Sequence, residues 1–233
     1  MIQCCLNIRF YIKNMSILTK KEISELIKEN KIEFEPMLDR FQIQPNSIDL
    51  RVGWNFYIPK TWEYNEKGRV AVNVDSLNTE VKKDLYKIIR LTEGQYFEIL
   101  PGEFIIVSTL EKIKLNSGDL MGIIFARSST IRRGLIIESG TIDARYDGYL
   151  MLPVMNNTRD QIIKIYPGER ICQIVMHKLN SELSDEEASI HGVSKAKYLA
   201  STPYGLEARS DSEEEVNFIR EGKLKELKEE FKI

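Results

Sequence analysis

Residues 125–156 read FARSSTIRRGLIIESGTIDARYDGYLMLPVMN, and no other stretch restricts the fold as much. Two apolar runs, LIIESGTI and YLMLPVM, read as the strands of a hairpin, with Asp147-Gly148 as the turn signal between them. The same stretch is dense in anion donors: Arg127, Ser128 and Ser129, then Arg132 and Arg133. One acid, Asp143, sits among small and apolar residues in GTIDARYDG. Phosphate donors beside one positioned carboxylate point to phosphate-ester or phosphoanhydride chemistry.

The rest of the chain supports a mainly β fold. Residues 98–108 read as strand, Pro-Gly turn, strand, and residues 119–126 and 162–179 continue the pattern. Short strands separated by Pro, Gly, Asn and Asp argue for a sandwich or barrel. Residues 47–52 alternate polar and apolar and read as a half-buried strand. Asp49 within it is either an acid that holds a neighbouring loop or, as the weaker reading, a catalytic acid. Residues 19–28 read as a short helix, capped by Thr19 with Glu22 three residues on. Residues 212–231 read as a charged helix with a second such pair, Ser212 and Glu215, interrupted by Gly222. Residues 63–91 are charged and carry no chemistry that the sequence names; an insertion covering one end of the body is expected.

The chain has 233 residues, enough for one domain with appendages and a sizeable core without disulfides. Its net charge of -2 gives no sign of a general nucleic-acid binder. Three cysteines without CxxC spacing argue against a disulfide framework or a zinc site. Cys172 reads as a small buried strand residue and His177 as a surface strand-end histidine. No apolar run approaches the roughly 18 residues that span a membrane, so a cytoplasmic protein is expected. Residues 1–14 make a poor signal peptide, being broken by Arg9 and Lys13, and Met15 is an alternative start.

GTIDARYDGYLMLPVMN resembles the third motif of the dUTPases, ARSST their second and PGERICQIV their fourth. PNSIDLRVG is similar to the first motif of the sister family, the dCTP deaminases. The resemblance spans residues 15–179 in the right order. It implies a distorted jelly roll with a short N-terminal helix and a C-terminal helical tail. Three subunits would share their active sites in a homotrimer. The domains would be an extension at 1–14, the β domain at 15–180 and a lid segment with a charged helix at 181–233.

The resemblance makes Asp143 the base that activates water; the bland alternative is a turn aspartate bonding nearby amides. It places Tyr146 against the deoxyribose, beside Gly140 and Ile142, where an ordinary hairpin-end aromatic is the alternative. Arg127, Ser128, Ser129, Arg132 and Gln173 would bind phosphates, against solvated charges and an outward strand glutamine. The tail, KYLASTPYGLEARSD, is closer to the deaminase C-terminus, and by that likeness Lys197 and Tyr198 would reach the triphosphate. Mg²⁺ would arrive as the counterion of the substrate.

The sister families differ in one acid. Deaminases of this type carry a Leu-Glu pair in the strand after the turn, where this chain has Leu152-Pro153. Proline has no acid or base to offer. The sequence therefore favours a dUTP diphosphatase, a hydrolase that forms dUMP and diphosphate and keeps uracil out of DNA. Deamination of dCTP, alone or coupled to hydrolysis, is the second reading, and a catalytically silent nucleotide-binding regulator the third.

Overall fold

The computed structural model describes residues 16–72, 74, 85–191, 194–195 and 212–232. In chain order, β1 (Ser16–Ile17) and α1 (Lys20–Lys28) precede β2 (Ile32–Glu35) and the long β3 (Ile48–Pro59). Then come β4 (Trp62–Asn65), β5 (Gly68–Ala71), β6 (Tyr86–Arg90), β7 (Phe97–Ile99) and β8 (Phe104–Leu115). The site region holds β9 (Leu120–Ala126), α2 (Ser128–Arg132), β10 (Leu135–Ile137), β11 (Gly140–Ile142) and β12 (Asp147–Asn156). The chain ends with β13 (Ile163–Ile165), β14 (Arg170–Lys178), α3 (Asp185–Ala188), β15 (Ile190–His191), β16 (Ser194–Lys195), α4 (Glu213–Arg220) and α5 (Leu224–Glu230).

The fold is mainly β, a curled antiparallel sheet. Its main path runs β10-β12-β8-β3-β14-β9-β11, with β1, β2 and β6 attached at its sides. The curl happens along β3. Its first residues, Ile48 to Arg51, pair with β14, and from Val52 onward it pairs with β8. The register breaks between Val52 and Phe56, beside Gly53. A Cβ on Gly53 would lie 2.6 Å from both the Ser108 hydroxyl and the Thr109 carbonyl oxygen, so this close strand contact requires glycine.

Ile48, Leu50, Val107, Ile113, Leu152, Val154 and Ile174 belong to one buried core. The small β13–β7 sheet closes it, and Phe97 stacks on Phe56 at 4.8 Å. Helix α1 is capped as its sequence predicts, by Thr19 and Glu22, and buries Ile23 completely. That burial stabilises by about 1.5–3 kcal/mol.

Three sequence expectations change. First, residues 47–52 are not half-buried: Asp49 is 1% exposed, between buried Ile48 and Leu50. β3 is paired along both edges, and its polar side chains find partners inside. Second, the hairpin is real but differently wired. β10 pairs with β12, Leu135 opposite Asn156, whereas β11 leaves that pair and joins β9. Asp147 and Gly148 lie inside β12, and the reversal falls at Arg145, the residue with positive φ (66°). Third, the C-terminal helix is two helices. Gly222, at φ 71°, follows the end of α4 and α5 starts beyond it, with Phe218 and Phe231 meeting edge to face.

Candidate active site

Arg127 closes β9 and opens α2. Its Nε lies 2.9 Å from Asp49 Oδ2, and its Nη1 donates to the Arg170 carbonyl oxygen at 2.9 Å. Arg170 reaches the same Asp49 oxygen from β14 at 3.1 Å. Two guanidiniums thus share one carboxylate, which leaves net positive charge at the mouth of a buried cluster. Burial pushes the Asp49 carboxyl above its ordinary value, against the two arginines that pull it down. Asp49 is therefore the acid that holds the neighbouring loop, and what it holds is Arg127, the predicted anion donor.

A second buried acid supports the first. Glu111 is 1% exposed and accepts from Gln42 Nε2 at 2.6 Å and from the Arg51 amide at 3.0 Å. Gln42 Nε2 also donates to the Asp49 carbonyl oxygen at 3.0 Å. The Glu111–Gln42 pair thereby fixes the segment of β3 that carries Asp49. Burial raises the Glu111 carboxyl above its ordinary value. The sequence does contain a signal for Glu111: in FIIVSTLEKIKL, period-two alternation puts it in line with Ile105, Val107, Ile113 and Leu115.

The remaining donors lie close by. Ser128, Ser129 and Arg132 are exposed on α2, whereas Arg133 is paired with Glu169. Gln173 stands opposite Phe125 on β9 and Asp49 on β3, and its Oε1 accepts from Ser47 at 3.3 Å. Arg127, Ser128, Ser129, Arg132 and Gln173 therefore share one end of β9. Cys172 is fully buried beside them, and burial pushes its thiol well up, so it is inert packing. His177 is half-buried within β14.

Asp143 belongs to the other end. β11 pairs with β9 so that Gly140 faces Ile124 and Ile142 faces Gly122. Asp143 then falls next to Met121, six residues from Arg127. At about 3.3 Å per residue the two are roughly 20 Å apart. One chain does not bring the predicted base and the predicted phosphate donors together. Asp143 itself is half exposed, and its Oδ2 lies 3.4 Å from His191 Nε2, a contact that no sequence pattern signals. Ile142 is buried, and a Cβ on Gly140 would meet Ile124 Cδ1 at 3.9 Å, an ordinary contact. Tyr146 is 9% exposed, packed in the core, and its hydroxyl donates to the Tyr149 carbonyl oxygen at 2.8 Å. Lys197 and Tyr198 lie outside the described residues. No helix among the described residues is long and apolar enough to cross a membrane.

The family model described as dCTP deaminase-like matches residues 17–179. The chain belongs to the dCTP deaminase-like family. A protein named dCTP deaminase, dUMP-forming, from Dictyoglomus turgidum is 36% identical over 71% of this chain and 81% of its own length. One of the same name from Persephonella marina is 40% identical over 70% of this chain and 84% of its own. Among solved structures, a 2'-deoxycytidine 5'-triphosphate deaminase from Agrobacterium tumefaciens shares the fold, with a TM-score of 0.54 at 24% identity, over 74% of this chain and 51% of that one.

These relatives correct the sequence-based preference for a dUTP diphosphatase. That preference rested on one position, and family membership rests on some 160 aligned residues. The structure also weakens the argument from Pro153. The Glu138 amide donates to the Pro153 carbonyl oxygen at 3.2 Å, which continues the β10–β12 register by one residue. Directly opposed residues share a face, so an exposed acid stands across from the proline.

Proposed function

We propose that this chain deaminates dCTP and carries the product on to dUMP. The observation that carries the reading is the match to dCTP deaminases named as dUMP-forming, along the whole β domain. The first step adds water at C4 of cytosine and expels ammonia. The second adds water to the triphosphate and expels diphosphate.

Each step asks for a carboxylate. Asp143 orients the water that attacks the phosphate chain, its exposed position on a rigid turn suiting it to general base work. Glu138, across from Pro153, handles the proton at the cytosine ring. Arg127, Ser128, Ser129, Arg132 and Gln173 hold the phosphates by charged and hydroxyl donors. Because Asp143 and Arg127 sit at opposite ends of β9, a complete site takes Asp143 from one copy and Arg127 from another. A homotrimer with shared sites satisfies this.

The described residues gather no group of three or more His, Cys, Asp or Glu that could hold a metal ion. Exposed Asp143 with no cage around it fits an Mg²⁺ carried on the triphosphate oxygens. Held there, Mg²⁺ would neutralise charge on the phosphates. The test is ammonia release from dCTP, read enzymatically, with and without chelator. Release that stops with chelator and returns with Mg²⁺ is expected; no release at any Mg²⁺ concentration refutes the reading.

A further inference from the structure

We infer that His191 is a positioning residue for Asp143, delivered by a C-terminal segment built to dock on the Asp143 turn. The inference rests on Asp143 serving as the base in the proposed function. After β14 the chain folds back along the start of β9. The Leu179 amide donates to the Asp119 carbonyl oxygen at 2.7 Å, and the Leu183 amide to that of Gly118 at 3.0 Å. The fit at Gly118 is close: a Cβ there would lie 2.0 Å from the Leu183 carbonyl oxygen. Helix α3 follows, closed by a Ser184–Glu187 capping box, and leads into β15 and His191.

Charge complementarity fixes where the segment lands. The turn presents Asp143 and then Arg145. The segment presents Glu182 and Asp185 to Arg145, at 3.3 and 3.1 Å, and His191 to Asp143, at 3.4 Å. Arg145 also donates to the Asn116 carbonyl oxygen, which ties the turn to the loop before β9. The His191 contact is therefore the last of several, carried by a braced element. It engages Oδ2 of Asp143 and leaves Oδ1 to face the reacting water. A solvent-exposed pair of this kind stabilises the fold little, so its use lies in aiming the carboxylate.

The experiment compares His191→Ala with His191→Gln, which keeps a side-chain N–H donor, in wild-type and Asp143→Asn backgrounds. Turnover of dUTP to dUMP is measured under single-turnover conditions, and hydrogen exchange is followed over residues 185–191. We expect His191→Ala to lower the rate about tenfold with KM within about twofold, and His191→Gln to recover most of it. In the Asp143→Asn background, His191→Ala should add less than about a twofold loss, because the residue acts through Asp143. Asp143→Ala, which removes the acceptor, should speed exchange at residues 190–191. An unchanged rate in His191→Ala, or equal losses in both backgrounds, overturns the positioning role. Unchanged exchange at residues 190–191 in Asp143→Ala overturns the contact, and does so whichever substrate the protein turns over.

Discussion

Asp143 and Asp49 are two carboxylates of one chain in opposite settings, one half exposed on a turn and one buried between arginines. Asp143 is half exposed on a turn, and Asn in its place keeps the shape but accepts no proton at neutral pH. Asp143→Asn should lower kcat for diphosphate release by about 10²–10⁴, with binding of a non-hydrolysable analogue retained in calorimetry. Loss of both would make Asp143 a structural residue. Tyr146 is a core residue here, so Tyr146→Ala should cost about 3–5 kcal/mol in a denaturant titration, before any effect on sugar selection is read. Glu111→Ala leaves one of the two Gln42 Nε2 hydrogens and the Arg51 amide without an acceptor, the other Nε2 hydrogen keeping the Asp49 carbonyl oxygen, at about 1–3 kcal/mol for each buried donor. The pH dependence follows from the raised carboxyl of Glu111. An acid raised in the folded state adds stability that is fully present below its unfolded value, near 4.5, and lost as pH rises through the folded value. The penalty of Glu111→Ala should therefore shrink as pH rises from that value toward neutrality. A penalty that grows over this range would contradict the assignment.

At the scale of elements, local chemistry was legible and long-range pairing was not. Capping pairs announced α1 and the start of α4, and apolar runs between turn residues announced β8, β9, β12 and β14. The hairpin was half legible. Its two strands are present, but the sequence does not show that β11 would leave β10 for β9, because apolar residues suit either partner. The turn was misplaced for a physical reason: Gly148 is an obvious turn residue, yet the chain reverses at Arg145, a side chain that takes positive φ and is held by Asn116, Glu182 and Asp185. The Leu183–Gly118 docking was invisible, since glycine names no partner. It can be tested directly. Gly118→Ala places a methyl on the Leu183 carbonyl oxygen. It should release the segment, with faster amide exchange from Leu183 through His191 and little change in β12. Unchanged exchange would mean that the backbone there shifts to accommodate the methyl.

For the whole molecule, the main point is that the phosphate donors and Asp143 occupy opposite ends of β9, roughly 20 Å apart by strand rise. This separation was not legible in the sequence, because motif order along a chain does not say which motifs meet in space. If the site forms between copies, two defective variants should complement. Asp143→Asn and Arg127→Ala, each impaired alone, should regain part of the wild-type activity when co-folded, since some interfaces then carry both intact residues. No gain on co-folding would place the complete site within one chain. The activity itself is tested most directly by following dCTP with Mg²⁺ over time, with ammonia and nucleotides quantified from the same samples. The account predicts ammonia and dUMP in equal amounts as dCTP is consumed. Unchanged dCTP, with no ammonia formed, would contradict it.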